Sequence, residues 1–258
     1  MVAQDLTEPQ SETAGQPGET NRSRESAAPP SNLIAFVLPL IVFVFLAGLS
    51  PNFQGESTSP DAANHYLWLI IAEVGILGGL LACFWRVYLA HFPLEMDYLG
   101  WIVGGLGVCL WIGLCTLGLE RPLFDMLGLP QRPGFDPYFY FPQNGPFLTF
   151  LFFRFTLLCL IVPLCEELFL RGWLVRYVEN PNWETVSLSS IGWRGCVAVV
   201  VYAVLTHPAE AIAAAAWFSL VSWLMIKTGK FWNCVLAHAV TNLLLGIYVM
   251  WSEEWFYW

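Results

Sequence analysis

Charged side chains are scarce in this sequence. Asp, Glu, Lys and Arg make up 12% of the 258 residues, whereas apolar residues make up 57%. A soluble domain usually carries about twice that fraction of charge. The composition therefore excludes an ordinary soluble core. It predicts an all-α, polytopic transmembrane helical bundle, because backbone polar groups must find their hydrogen bonds within the segment when they lie in lipid.

Motifs for disulfides, zinc and nucleic acids are also missing. The seven cysteines include no Cys-x-x-Cys pair and are odd in number, so neither a disulfide framework nor a thiolate zinc site is indicated. There is no His-Glu-x-x-His helix motif. Basic residues are few, and the net charge of -9 argues against nucleic acid as a partner. The sequence indicates no particular oligomeric state.

The amino-terminal part of the chain differs from the rest in composition. Residues 1–32 are rich in Glu, Ser, Thr, Pro and Gly and contain almost no large apolar side chains. Such a segment cannot bury enough apolar surface to fold. We expect residues 1–32 to form a disordered cytoplasmic tail and residues 33–258 to form the transmembrane helical domain.

Seven apolar segments follow the tail, and each is predicted to be helical. They run approximately over residues 33–49, 66–85, 98–119, 147–178, 196–207, 209–226 and 231–251. About 20 residues are needed to cross a bilayer. The fifth and sixth segments are shorter and adjoin at His207-Pro208. We interpret this pair as either two full spans or a short re-entrant hairpin near His207.

The basic residues predict an orientation. With the amino terminus inside, the inner connections hold Arg22, Arg24, Arg86, Arg171, Arg176, Arg194, Lys227 and Lys230. The outer connections hold only Arg121 and Arg132. Lys and Arg are enriched in cytoplasmic loops. The pattern therefore predicts a multi-pass membrane protein with a cytoplasmic amino terminus.

The fourth apolar segment contains two adjacent carboxylates and an arginine. Glu167 and Arg171 are spaced i, i+4, so on a helix they can form an ion pair, whereas Glu166 is turned about 100° away. Charged residues within membrane segments are costly and are functional candidates by default. We interpret Glu167 and Arg171 as a structural ion pair. Glu166 is left available for chemistry as a general base.

Three further polar residues lie on the later segments. His207 ends the fifth segment, and His238 and Asn242 share one face of the seventh segment because they are spaced i, i+4. A single membrane histidine often serves only as a hydrogen-bond partner between helices. Two histidines, an asparagine and the acidic motif together favour a catalytic set. In amide hydrolysis His207 would orient the water, and His238 and Asn242 would stabilise the oxyanion.

The motif order resembles that of the CAAX prenyl protease and bacteriocin-processing family of glutamate-type intramembrane endopeptidases. The resemblance rests on Glu166-Glu167-x-x-x-Arg171, a later His207, and His238-x-x-x-Asn242, and it covers residues 147–258, the protease-like core. It implies the same residue roles and no metal cofactor. The family's second motif is usually Phe-x-x-x-His, whereas here Ala203 stands four residues before His207, with Tyr202 beside it.

Local features are similar to the bacterial subgroup that accompanies exosortase sorting systems. They are Val162-Pro163 before the acidic motif and the tryptophan-rich carboxyl end. The resemblance implies an endopeptidase of the bacterial inner membrane that cleaves a membrane-anchored or lipidated protein or peptide within the lipid bilayer. The alternative is a non-catalytic immunity, scaffold or sorting-system accessory protein. A zinc site built from the histidines and glutamates is a further alternative to the metal-free site.

Two more charged residues lie within apolar segments. We interpret Glu73, in the second segment, as a buried packing charge. Arg154, in the fourth segment, is predicted to pair with an acid that the sequence does not identify.

Overall fold

The computed structural model describes residues 32–51, 53, 60–119, 122 and 134–257. The expected disordered tail lies, except for Asn32, outside the described residues. The described residues form four three-residue 3-10 turns and eight longer helices, which are named here in chain order. They are α1 (Leu33–Ala47), α2 (Pro60–His91), α3 (Tyr98–Leu117), α4 (Pro137–Tyr140), α5 (Asn144–Glu179), α6 (Trp193–Thr206), α7 (Ala211–Thr228) and α8 (Phe231–Ser252).

The predicted all-α membrane bundle is confirmed, and the protein is a multi-pass membrane protein. Each of the seven apolar segments forms a helix, and the described part of the chain contains no strand. Five of the helices, α2, α3, α5, α7 and α8, are long and apolar enough to cross a membrane. Helix α6 has 14 residues and is about 21 Å long, which is shorter than the hydrocarbon core of about 30 Å.

Helix α8 packs against α3, α5 and α7 and so lies at the centre of the described bundle. Its contact with α3 is close because α3 presents glycines to it. A Cβ atom on Gly104 would lie 2.6 Å from Cβ of Val240, and one on Gly100 would lie 2.9 Å from Leu236. Small residues let membrane helices approach in this way. The close approach brings the polar face of α8 into the interior.

The first turns of α3 and α8 are joined by polar groups. Asp97 caps α3 by accepting a hydrogen bond from the amide of Leu99 at 3.0 Å. Its carboxylate also accepts hydrogen bonds from Lys230 Nζ and Asn233 Nδ2, both at 3.0 Å. These bonds outweigh the effect of burial and hold the pKa of Asp97 below its usual value. The two helices therefore begin at the same side of the bundle, as the predicted topology requires.

Helix α6 is attached to the end of α5. The Glu179 carboxylate accepts hydrogen bonds from the backbone amides of Gly192 at 2.8 Å and Gly195 at 2.9 Å. A carboxylate at a helix amino terminus satisfies amides that have no partner within the helix and is favoured by the helix dipole. This contact fixes where α6 starts and hence where Tyr202 and His207 lie.

Candidate active site

Helix α5 places the two glutamates in the protein interior. It is not a regular α-helix, since π-helical turns over Leu157–Ile161 and Leu168–Leu174 flank the α-helical segment Val162–Glu167. Pro163 lacks a backbone N–H and cannot continue the α-helical ladder, and it lies just after the first π turn. Single π turns occur often at functional sites. Here they lie on either side of the two glutamates, and the second contains Arg171.

The first π turn also frees a backbone carbonyl. The amide of Val162 donates to Leu157, whereas in an α-helix it would donate to Leu158. The carbonyl of Leu158 instead accepts a hydrogen bond from Asn242 Nδ2 at 2.8 Å. One of the two amide hydrogens of Asn242 is therefore used to attach α8 to α5.

Glu167 and Arg171 form an ion pair, and both side chains are 0% exposed. The guanidinium also donates to the carbonyl of Phe218 at 2.9 Å and to the hydroxyl of Ser222 at 3.3 Å, both on α7. A buried charge pair is tolerated when further hydrogen bonds satisfy its remaining polar atoms. The pair thus connects α5 to α7 at the level of the motif.

His238 lies between the two glutamates. Its Nδ1 is 3.0 Å from an oxygen of Glu167, and its Nε2 is 3.8 Å from an oxygen of Glu166. A carboxylate paired with arginine can only accept hydrogen bonds, so Nδ1 of His238 is the donor to Glu167. The Nε2 distance exceeds that of a direct hydrogen bond. Glu167 therefore orients the imidazole, and the opposite ring nitrogen faces Glu166.

The imidazole is also held from its other side. The ring of Trp217 meets His238 edge to face at 4.6 Å. The indole N–H of Trp217 donates to the Thr241 hydroxyl at 3.1 Å, and that hydroxyl donates to the carbonyl of Gly104 at 3.0 Å. These contacts involve α3, α7 and α8. Nothing in the sequence pattern had indicated Trp217 or Thr241 as members of this environment.

Glu166 is 6% exposed and has a neighbour that was not predicted to belong to the site. The hydroxyl of Tyr202, on α6, interacts with the Glu166 carboxylate. In the sequence, the signal for Tyr202 is its position next to Ala203, where the chain departs from the family's second motif. Ala203 itself is buried.

His207 ends α6 and lies at the turn that leads into α7. Its ring centroid is 5.5 Å from that of Phe218 and 5.7 Å from that of Trp111, and its Nδ1 is 2.9 Å from the hydroxyl of Thr206. The ring of Phe218 is also 6.3 Å from His238. The two histidines therefore flank the same phenyl ring. His207 is partly exposed, whereas His238 is buried.

The structure thus brings Glu166, Glu167, Arg171 and His238 into direct contact, with Asn242 one helical turn further along α8 and His207 across the ring of Phe218. Within the described ranges, no group of three or more His, Cys, Asp or Glu side chains has the arrangement of a metal site. Arg154 interacts electrostatically with Glu73, which is buried on α2. On α5, Arg154 lies about three turns before Glu166.

Comparison with known proteins identifies one family. Residues 148–244 match the model of the family described as type II CAAX prenyl endopeptidase Rce1-like. The match covers less than half of the chain, but it includes all six residues of the predicted site, and it confirms the predicted resemblance at the level of the family. It does not distinguish the exosortase-associated subgroup. No curated protein and no solved structure was found to match the chain.

Proposed function

We propose that this protein is an intramembrane endopeptidase that uses a glutamate-activated water, because residues 148–244 match the Rce1-like CAAX endopeptidase family. The observation that supports this most is the arrangement around His238. One ring nitrogen contacts the arginine-paired Glu167, and the other faces Glu166 at 3.8 Å. Two buried glutamates in adjacent positions thus have different surroundings.

This difference separates a structural carboxylate from a reactive one. The oxygens of Glu167 are used by Arg171 and His238, so Glu167 has little capacity left for substrate. Among the described residues, Glu166 forms its ion pair with His238 and not with an arginine. The gap between Glu166 and Nε2 of His238 is short enough for one water molecule to bond to both atoms. We place the nucleophilic water there.

The reaction then proceeds by general base catalysis. Glu166 takes a proton from the water, and the oxygen attacks the carbonyl carbon of the scissile amide. The developing oxyanion is stabilised by the second amide hydrogen of Asn242 and by His238 when its Nε2 also carries a proton. The C–N bond breaks, and the departing amine takes the proton from Glu166. His207, across Phe218, orients the water or the substrate, and no metal cofactor takes part.

The substrate is a membrane-anchored or lipidated protein or peptide. The reacting groups lie on helices long and apolar enough to span a bilayer, so the scissile bond must reach them within the membrane. Basic residues lie in the last turns of α2, α5 and α7, at the start of α6 and just before α8 (Arg86, Arg176, Lys227, Arg194 and Lys230). This excess at one side of the bundle supports a cytoplasmic amino terminus and an inner-membrane location. A bacterial sorting system is the context that the subgroup resemblance suggests.

The test compares membrane proteins from cells that carry the wild type or Glu166→Gln. We expect the variant to accumulate at wild-type level, and at least one membrane-anchored peptide to remain uncut in its presence. Glu95→Gln, at an exposed glutamate outside the site, is the matched control and should leave cleavage unchanged. The purified wild type should cut the same peptide in vesicles. Full turnover by Glu166→Gln in vesicles would show that Glu166 is not the general base. A complete absence of cleavage by the wild type would favour the non-catalytic accessory role.

A further inference from the structure

Tyr202 lies on the face of α6 that packs into the bundle. The buried residues of α6 are Gly195, Val199, Tyr202 and Ala203, which are spaced as one face of a helix. The ring of Tyr202 packs 5.8 Å from that of Phe169 and 5.5 Å from that of Phe218. Because aromatic neighbours from α5 and α7 enclose the ring, its position is fixed by packing.

The hydroxyl of Tyr202 has an unusual environment for a buried polar group. It is buried and forms no hydrogen bond of standard geometry with the described residues. The hydroxyl interacts electrostatically with the carboxylate of Glu166. Buried hydroxyls are normally hydrogen-bonded, and each exception needs an explanation. A role in the reaction would explain why a phenol is placed here, since a phenylalanine would fill the same space without the polar atom.

Another buried tyrosine shows what a purely structural hydroxyl looks like in this protein. Tyr88, on α2, is fully buried, and its hydroxyl donates a hydrogen bond to the carbonyl of Ala35 on α1 at 2.7 Å. That bond joins two helices and involves no site residue. Tyr88 and Tyr202 therefore provide a matched pair, in which one hydroxyl is bonded to backbone and the other interacts with the proposed base.

We infer that Tyr202 is a positioning residue for the reaction, whose hydroxyl donates a hydrogen bond to Glu166 and holds that carboxylate toward the water. The inference rests on the proposed function. His238 restrains the orientation of Glu166 from α8, and Tyr202 restrains it from α6. Without the hydroxyl, Glu166 can rotate away from the position it needs, and small misplacements of a catalytic group lower the rate strongly.

The test uses Tyr202→Phe and the control Tyr88→Phe in vesicles with a cleaved peptide. Tyr202→Phe should lower kcat by about tenfold or more and change KM less than twofold, with an unchanged or higher unfolding midpoint in detergent. Tyr88→Phe should show the opposite pattern, with a lower midpoint and unchanged kcat. Full kcat in Tyr202→Phe would overturn the inference. So would a loss of kcat matched by a fall in the midpoint, since that is the signature of a structural hydroxyl.

A second measurement does not need activity. The unfolding midpoints of Tyr202→Phe, Glu166→Gln and the double variant form a double-mutant cycle. Non-additive shifts would support the contact between the two side chains, and additive shifts would overturn it. If the wild type cleaves nothing but the two substitutions are still coupled, the proposed function is wrong and the contact between Tyr202 and Glu166 stands. Activity that depends on Glu166 but not on Tyr202 would remove only this inference.

Discussion

Replacing Arg171 with methionine tests the separation of roles between the two glutamates. Methionine keeps much of the apolar stem of arginine but removes the guanidinium. Glu167 then loses its ion pair with Arg171 and keeps its contact with the His238 ring. The two acceptors on α7 are affected less, because the Ser222 hydroxyl also donates to the carbonyl of Phe218 at 2.9 Å. The cost should therefore fall mainly on Glu167.

The expected loss of stability is large. Removing one partner of a buried ion pair costs about 3 to 5 kcal/mol, because an uncompensated charge stays buried. The N–H of His238 still donates to Glu167, so the lower part of that range applies. For a chain of this size, a loss of about 3 kcal/mol corresponds to a decrease of roughly 6 to 12 °C in the midpoint of thermal unfolding. Arg194→Met, at an exposed arginine, should change stability by less than about 0.5 kcal/mol.

A second substitution then identifies the partner. Adding Glu167→Gln to Arg171→Met removes the stranded charge and keeps an oxygen that can accept the hydrogen bond from His238, so part of the loss should be recovered. Adding Glu166→Gln should recover less, because Glu166 contacts His238 at 3.8 Å and is not the carboxylate bonded to Arg171.

The assay is equilibrium unfolding of the purified variants in detergent, followed by tryptophan fluorescence and by circular dichroism. The single and double variants form two cycles that share Arg171→Met. Equal recovery with either glutamate would refute the assigned pairing. Additive losses for Arg171 and Glu167 would refute it as well, and the base and structural roles would then have to be exchanged or abandoned.

Three other perturbations have defined outcomes. Gly104→Val should destabilise the bundle by more than about 2 kcal/mol in the same unfolding assay, because its Cβ would meet Val240 at 2.6 Å. A Cβ on Gly105 would have no neighbour within 4 Å outside the backbone of its own helix, so Gly105→Val should cost less. The pKa of Asp97 is lower in the folded protein than in the unfolded chain. The contribution of this carboxylate to stability is therefore present above about pH 4 and is lost as the pH falls through the folded pKa. Between pH 5 and pH 2, the unfolding midpoint should fall more in the wild type than in Asp97→Asn. Cleavage in vesicles should survive a strong zinc chelator, and loss of activity that added zinc restores would establish a metal site.

Much of the fold follows from local sequence properties. Long apolar runs predict membrane helices directly, and the helices formed by the seven predicted segments begin and end within a few residues of the predicted bounds except at α2, whereas the short helix α4 was not predicted. There the helix extends from Pro60 to His91, beyond the apolar run at both ends. The polar residues at its ends have no signal that would stop a helix until Pro93. Apolar content marks the part of a helix that can lie in lipid, not the whole helix.

Contacts of the site within one helix were predictable from the sequence, whereas contacts between helices were not. The pairing of Glu167 with Arg171 follows from their i, i+4 spacing. The contact of His238 with Glu167 joins residues 71 positions apart and depends on how α5 and α8 rotate against each other. The same is true of Glu73 beside Arg154. Tyr202 was missed because its role depends on the orientation of α6, which the bond between Glu179 and the first turn of α6 sets.

The π turns of α5 have a consequence for any comparison of this helix with others. Each adds about one residue to a turn, which changes the direction of every later side chain by about 100°. Arg154, Glu166 and Val175 therefore occupy three stretches with different angular phases, although no gap or loop separates them in the chain. Deleting a single leucine from the first π turn would leave a regular α-helical turn and keep the carboxylates facing nearly the same direction, whereas the same deletion from a regular α-helical stretch would shift the later side chains by about 100°. A π turn is therefore a place where α5 can lose a residue without changing which side chains face α8.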